Sequence, residues 1–163
     1  VLDYALATQA AFLPGDAQPE RVMDRLHAYC YFLEGLLPCV GRPECAGVLA
    51  DGISRTARLC DEIAPTFERS DVVAQTLRLR LLADRLGVLP LDAARAAQEA
   101  GRVRNYQLED ADSRIAGGFC FGRKGAELLP FVNPASAAFC LQALQLWYQH
   151  EVGLLEAAWQ TLI

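Results

Sequence analysis

The side chains best suited to acid–base chemistry begin on one predicted helix. His27, Tyr31 and Glu34 follow one another at positions i, i+4 and i+7, so they share one helical face. An imidazole or a carboxylate beside a tyrosine ring can exchange a proton with a ligand that stacks on the ring. The alternative is a buried histidine and glutamate whose hydrogen bonds are satisfied inside the protein. The spacing fits both interpretations.

A second carboxylate, Asp71, begins a later predicted helix, and Gln75 follows one turn below it. Asp71 is a candidate partner for Glu34 in acid–base chemistry. The alternative is that it complements the helix dipole in the first turn. Arg78 and Arg80 lie on nearly opposite faces of this helix, so at most one of them points toward the candidate site. We expect the other to pair with an acidic residue between helices.

A loop rich in glycine and aromatic residues precedes the last long helix. Phe119 and Phe121 alternate with small residues, so both can lie on one side of an extended segment. They form either a hydrophobic plug or a platform for a ligand ring. Arg123 and Asn133 add polar groups, and Asn133 stands directly before Pro134, as is typical of a helix start.

Metal and cofactor signals are weak. Asp110 and Asp112 lack a third ligand, and the six cysteines contain no CxxC pair spaced with a histidine for zinc. We therefore predict no metal and no cofactor. The cysteines are expected to be reduced and structural, as small buried apolar residues, in a cytoplasmic environment. Cys39 and Cys45 flank a loop and are the candidates for an exception.

Capping and helix-breaking residues predict helices along most of the chain. Ser70, Asp92 and Asn133 are predicted helix caps, and Pro14, with Gly15 after it, is predicted to close the first helix. Residues of about 102–133 are predicted to be irregular or to carry a short β-hairpin. The predicted helices cover residues 2–13, 19–37, 43–64, 70–87, 92–101 and 134–150, with a last segment at 154–163.

The predicted helices differ in how much of their surface is apolar. Residues 43–64 and 92–101 are amphipathic, which is typical of outer helices. Residues 26–37, 71–86 and 134–147 are apolar almost all round, so we expect them to be covered on both sides. Stacked antiparallel helical hairpins produce this alternation. The predicted fold class is therefore all-α.

Four segments resemble the α/α-toroid proteins, in particular the six-hairpin glycosidase-like superfamily. They lie within about residues 22–147 and read HAYCYFLEGLL, SDVVAQTLRLRLLAD, GGFCFGR and NPASAAFCLQAL. In that superfamily inner helices ring a central cleft and outer helices enclose them. The GGF loop also recurs in terpenoid-cyclase and prenyltransferase toroids, but this chain lacks the aspartate-rich motif of diphosphate chemistry. A full toroid has about twice this length.

The resemblance implies a carbohydrate-directed domain that binds a saccharide or contributes part of a glycoside hydrolase, lyase or epimerase cleft. A glycosidase needs two carboxylates about 5–10 Å apart, and an arginine in the cleft would suit a uronic acid. The alternative is a non-catalytic helical scaffold for protein–protein interaction or oligomerisation. The candidate catalytic residues are His27, Glu34 and Asp71, and the candidate ligand-binding residues are Tyr31, Gln75, Arg78, Phe119, Phe121, Arg123 and Asn133.

Charge and composition constrain the partners. The net charge of −5 argues against nucleic acid, and charged residues interrupt every apolar run before it reaches the length of a membrane span. We expect residues 1–163 to be one helical domain, a fragment or C-terminal part of a longer toroid chain. Its apolar ends would then be covered by a second copy or by a missing N-terminal part of the same chain. The residues concerned are Leu2, Leu6, Phe12, Leu154, Leu155, Trp159 and Ile163.

Overall fold

The computed structural model describes residues 1–13 and 18–162. Helix makes up 64% of the structure, so the prediction of a mostly helical fold is confirmed. The predictions at Pro14, Gly15 and Ile163 lie outside the described residues. The helices are α1 (Leu2–Thr8), α2 (Pro19–Leu36), α3 (Pro43–Ile63), α4 (Ser70–Arg85), α5 (Ala93–Arg104) and α6 (Pro134–Glu151), and the strands are β1 (Phe67–Arg69), β2 (Cys120–Lys124) and β3 (Glu127–Val132).

Two of the three predicted helix caps are confirmed. The side chains of Asp92 and Asn133 each accept a hydrogen bond of 2.9 Å from a backbone N–H in the first turn of α5 and α6. The prediction for Ser70 is wrong. Ser70 lies inside α4, and its hydroxyl donates to the backbone carbonyl of Phe121 at 3.1 Å. The reason is that β1 leads directly into α4, so the residue before the helix belongs to a strand.

The three strands form one antiparallel sheet in the order β1–β2–β3. The hairpin predicted within 102–133 is confirmed by β2 and β3, although residues 102–104 belong to α5. The first strand was not predicted. Gly122 permits its close approach, because a Cβ atom there would lie 2.2 Å from the backbone oxygen of Glu68. Strands β1 and β3, both paired to β2, run parallel and lead into α4 and α6.

The relative directions of the helices follow from the order in which their residues contact each other. Asp24, His27 and Glu34 of α2 contact residues 69, 75 and 78, in ascending order, so α2 and α4 are parallel. Ser136 and Phe139 of α6 likewise contact residues 71 and 78. Helices α3 and α5 run in the opposite direction, as successive antiparallel hairpins require.

Helix α4 is the centre of the fold. Every residue from 70 to 83 is buried, which confirms the prediction that this helix is enclosed. One apolar cluster packs between α4 and the helices α2 and α3, and another packs between α4 and the helices α5 and α6. In the described part of the chain, the helices therefore surround α4 itself.

Within this chain α6 is covered on one side only, so the chain itself does not supply the predicted cover on both sides. One face packs on α4 and α5, but Leu141 is 64% exposed and Tyr148 is 57% exposed on the other. Helix α2 also exposes Tyr31. The chain ends differ as well: Leu155 is buried and Trp159 packs against the core, whereas Phe12 and Leu154 are exposed.

Candidate functional site

The residues predicted on α2 and α4 form one group, here named the α2–α4 cluster. Their proximity confirms the helical-face argument for α2. Because α2 and α4 run parallel, His27 and Glu34 of α2 lie beside Gln75 and Arg78 of α4. The members are His27, Tyr31, Glu34, Asp71, Gln75 and Arg78.

Asp71 is held in place by three donors. Its carboxylate accepts from Arg69 through Nε at 3.0 Å and Nη2 at 2.8 Å, and from the Ser136 hydroxyl at 2.9 Å. The Asp71 side chain is buried, and Arg69 is also bound by Asp24 at 2.7 Å. A bidentate guanidinium pair of this kind fixes the orientation of the carboxylate. Asp71 therefore ties the start of α4 to the start of α6.

His27 lies at the edge of this arrangement. Its Nδ1 is 2.8 Å from Oε1 of Gln75 and 3.9 Å from Oδ2 of Asp71. The two groups share a hydrogen bond whose donor is set by the tautomer of His27. The other end of the Gln75 amide, Nε2, is buried and has no hydrogen-bond partner among the described residues.

Glu34 pairs with Arg78, whose Nη2 lies 2.5 Å from Oε1 of the carboxylate. Burial raises the pKa of Glu34, and the nearby Arg78 opposes that rise only in part. Burial likewise lowers the pKa of Arg78, with Glu34 opposing it. Removal from water therefore disfavours the charged form of both groups. Arg78 Nε and Nη1 are buried and, within residues 1–13 and 18–162, have no hydrogen-bond partner.

Aromatic rings cover Arg78. The Phe139 ring lies under its guanidinium at 4.6 Å. Tyr31 meets Phe139 edge-on at 5.7 Å and His27 at 4.9 Å. Phe139 is buried, whereas Tyr31 is 47% exposed. Tyr31 is therefore the outermost ring of the cluster, and desolvation raises its pKa.

The predicted loop residues do not join the cluster as a set. Phe119 is buried in the core, and Asn133 caps α6. Arg123 lies at the hairpin end, where its Nε donates to the carbonyl of Gly125 at 3.0 Å. Phe121 stacks on Phe131 at 5.0 Å and lies under the guanidinium of Arg69 at 4.8 Å. Of these residues, only Phe121 is linked to the cluster, through Arg69.

Three cluster partners were not predicted: Arg69, Ser136 and Phe139. Ser136 and Phe139 follow the Asn133 cap by three and six residues, so a face analysis of α6 would have placed them together. Arg69 ends β1, which is three residues long. Alternation of apolar and polar residues cannot be recognised over so short a segment.

A separate ion-pair network joins α3, α4 and α5 with β1. Arg80 donates to both oxygens of Glu99, at 3.0 and 2.8 Å, which confirms that the second arginine of α4 pairs between helices. Burial, and then the nearby carboxylate of Glu68, raise the pKa of Tyr106. Positive and negative groups alternate along this network, as is typical of a structural element. It runs through Arg80, Glu99, Arg95, Asp61, Arg102, Glu68 and Tyr106.

Four surface grooves of the described residues lie away from the α2–α4 cluster. The most apolar one has a volume of about 520 Å³, and none of its lining residues carries a charge. Three further grooves lie along α6, along α3 and α5, and beside the sheet, where Arg123 is a lining residue. The lining residues of the apolar groove are Ala5, Thr8, Gln9, Ala11, Phe12, Ala28, Tyr29 and Phe32.

The described residues contain no group of three or more histidine, cysteine or acidic side chains able to hold a metal ion. Asp112 instead pairs with Arg114 at 2.6 Å. All six cysteines are free, including Cys39 and Cys45. Burial raises the pKa of Cys60 to about 12 and that of Cys140 to about 12. These thiols act as core residues.

The chemistry open to the cluster is limited by its ion pairs. A glycosidase needs one carboxyl group that gives a proton and a second that attacks or activates water. Here Asp71 is bound by Arg69 and Ser136, and Glu34 is bound by Arg78. Either carboxylate would have to leave its partner before it could act on a substrate. The arrangement favours orientation of the helices over proton transfer.

No protein-family model, curated protein or solved structure matches the chain significantly. Among the helices of residues 1–13 and 18–162, none has the length and apolar content to cross a membrane.

Proposed function

We propose that the chain is a non-catalytic helical scaffold that binds another polypeptide through the outer face of α6. The observation that supports this most strongly is the absence of charge on that face. Residues 134–149 contain no Asp, Glu, Lys or Arg, yet Leu141 and Tyr148 are more than half exposed. Surface helices of monomeric proteins normally expose charged residues to water. An exposed helix face without charged residues therefore indicates a binding interface.

The state of the candidate catalytic residues supports the same function. Glu34 and Asp71 serve internal ion pairs that join α2, α4 and α6. Such pairs set the relative positions of helices more than they add stability. In this proposal the α2–α4 cluster fixes α6 in place, and the exposed side of α6 does the binding.

Photo-crosslinking in the cells that produce the protein tests this proposal. Benzophenone-alanine at position 148 should give a discrete adduct, whose second polypeptide is then identified by mass spectrometry. The matched control replaces Ala97, an exposed residue of the amphipathic helix α5, and should give none. Equal labelling at both positions, or none at position 148, contradicts the scaffold function.

A carbohydrate-directed α/α-toroid domain is the second candidate. It is favoured by the direction of the helices, since α2, α4 and α6 run parallel and α3 and α5 run against them, as inner and outer helices of successive hairpins do. It is also favoured by the exposed ring of Tyr31 and by three buried donor atoms of Gln75 and Arg78 that have no hydrogen-bond partner among the described residues. A sugar ring stacks on tyrosine, and its oxygens accept from amide and guanidinium groups.

The surrounding charges indicate which sugar this would be. Three carboxylates, those of Asp24, Glu34 and Asp71, face two guanidinium groups, those of Arg69 and Arg78. These five side chains together carry one net negative charge, which disfavours a uronic acid and favours a neutral saccharide. Titration calorimetry with neutral and acidic oligosaccharides tests it. Tyr31→Ala should abolish binding and Tyr148→Ala should not; absence of heat with every sugar contradicts this candidate.

A further inference from the structure

A polar groove borders the outer face of α6. It lies between α6 and residues 154–162, here named the C-terminal arm, and has a volume of about 320 Å³. Its wall on α6 carries three glutamines, Gln142, Gln145 and Gln149, whose spacing of three and four positions places them on one side of the helix. Gln145 is exposed and precedes Tyr148 by three positions. The groove therefore continues the surface that the scaffold function assigns to the interface.

One glutamine of this row already binds a polypeptide backbone. The side-chain Nε2 of Gln142 donates to the backbone carbonyl of Thr161, in the C-terminal arm, at 2.6 Å. Residues 154–158 of the arm have no regular secondary structure, and Leu155 among them is buried. The row thus holds a segment of irregular chain beside α6 through an amide-to-carbonyl contact.

Gln145 and Gln149 present the same amide group further along the helix. They are four positions apart, which is a rise of about 6 Å along α6. In an extended chain the N–H and C=O groups of every second residue point to the same edge, and these residues are about 6.6 Å apart. Each glutamine amide can both donate and accept. The two side chains therefore match the repeat and the hydrogen-bonding groups of an extended backbone.

We infer that the polypeptide bound by α6 lies in this groove as an extended segment, with Gln145 and Gln149 hydrogen-bonded to its backbone. This inference rests on the proposed scaffold function and adds the conformation and the charge of the partner. The apolar side chains of the segment then meet Leu141 and Tyr148 on the outer face.

The charges at the end of the groove indicate the sequence of the segment. Of the eight described residues that line the groove, only Glu156 carries a charge. Glu151 is exposed where α6 ends, and the C-terminus of a helix adds a partial negative charge. Residues 134–163 contain no Lys or Arg to balance these groups. The partner segment is therefore uncharged along α6 and carries Lys or Arg at the end nearest Glu151 and Glu156.

A phage-displayed library of random linear peptides, selected on the wild-type protein, is the probe. Selected peptides that do not bind Leu141→Arg report on the outer face of α6, and they should contain an uncharged run followed by Lys or Arg. Gln145→Ala and Gln149→Ala should each weaken their binding about fivefold in fluorescence anisotropy, since each removes a hydrogen bond. Gln98→Ala, at an exposed glutamine of α5, is the matched control and should bind like the wild type.

Amide-to-ester substitution in a selected peptide tests the backbone contact itself, because it removes one N–H group and leaves every side chain unchanged. Esters at two positions, two residues apart, should weaken binding to the wild type and have little further effect on the matching alanine variant. The inference is overturned if no peptide depends on Leu141, if both alanine variants bind normally, or if no ester weakens binding. If position 148 still crosslinks to a polypeptide in any of these cases, the scaffold function holds and the extended segment is wrong. If position 148 gives no adduct, the scaffold function itself fails.

Discussion

Arg78 and Glu34 form an ion pair across α4 and α2 in which the arginine side chain is fully buried and the glutamate side chain is 9% exposed. Desolvation is the largest influence on the pKa of each group, and it favours the neutral form of both. The pair therefore fixes how α2 lies on α4 at a substantial cost in solvation. That balance determines how the chain should respond to substitution at either position.

Replacing Arg78 alone should be strongly destabilising. Arg78→Met leaves an ionised Glu34 buried without a partner, which costs about 3–5 kcal/mol near neutral pH. Loss of the arginine also removes the effect that lowers the pKa of Glu34, so burial raises that pKa further. A group whose pKa is raised in the folded state stabilises the fold below its ordinary pKa and loses that contribution as the pH rises.

Urea unfolding at about pH 5 and pH 8 measures this effect, and the deficit of Arg78→Met relative to the wild type should be smaller at the lower pH. The double variant Glu34→Leu with Arg78→Met should recover most of the loss, because apolar residues of similar volume replace a buried pair at little cost. Equal stability of the single variant and the wild type would show that the pair is not buried as described.

Asp71 and Asp24 offer a matched comparison, because both bind Arg69. Asp71→Asn should destabilise by about 1.5–3 kcal/mol, since the buried carboxylate serves Arg69 and Ser136. Asp24→Asn should cost less than about 1 kcal/mol, because that side chain is 62% exposed. Chemical denaturation of the two variants side by side measures the difference. A larger loss at Asp24 would contradict the assignment of Asp71 as the anchor.

Two glycines should respond in opposite directions to alanine. At Gly122 the added methyl group would lie 2.2 Å from the backbone oxygen of Glu68, so Gly122→Ala should disrupt the β1–β2 pairing and cost about 1–3 kcal/mol. Gly101 lies inside α5 with open space around it, and Gly101→Ala should stabilise by about 0.5–1 kcal/mol. Thermal unfolding followed by circular dichroism reports both signs, and a stable Gly122→Ala protein would exclude the close approach of β1.

The cysteines should differ sharply in reactivity. Burial raises the pKa of Cys60 and Cys140 to about 12, so both stay protonated and inaccessible in the folded state. Cys39 is only half-buried and should react first with iodoacetamide under native conditions. Mass spectrometry of the alkylated protein counts the modified sites. Rapid labelling of Cys140, or a disulfide between Cys39 and Cys45, would contradict the packing.

Much of the helical framework follows from local signals. Proline at the first position of α2, α3 and α6 and the side-chain caps at Asp92 and Asn133 act within one turn, so the sequence shows them directly. The i, i+4, i+7 spacing of His27, Tyr31 and Glu34 correctly predicted a shared face. The opposite directions of Arg78 and Arg80 also followed from helix geometry.

The parts that could not be predicted depend on distant contacts. Ser136 reaches Asp71, from which it is separated by 65 positions in the sequence, only because β1 and β3 bring the starts of α4 and α6 side by side. An apolar pattern all round α6 indicates coverage but does not tell whether the cover comes from the same chain. Helix propensity alone therefore could not distinguish the enclosed helix α4 from the exposed helix α6.

Hydroxyl-radical footprinting of the protein, both purified and in the cells that produce it, tests most directly whether the outer face of α6 is an interface. Tyr148, 57% exposed on the outer face of α6, should be less reactive in the cells than in the purified protein. Phe131, 53% exposed on β3, should keep its reactivity and serves as the internal control. Equal reactivity of Tyr148 in the cells and in the purified protein would contradict the scaffold function.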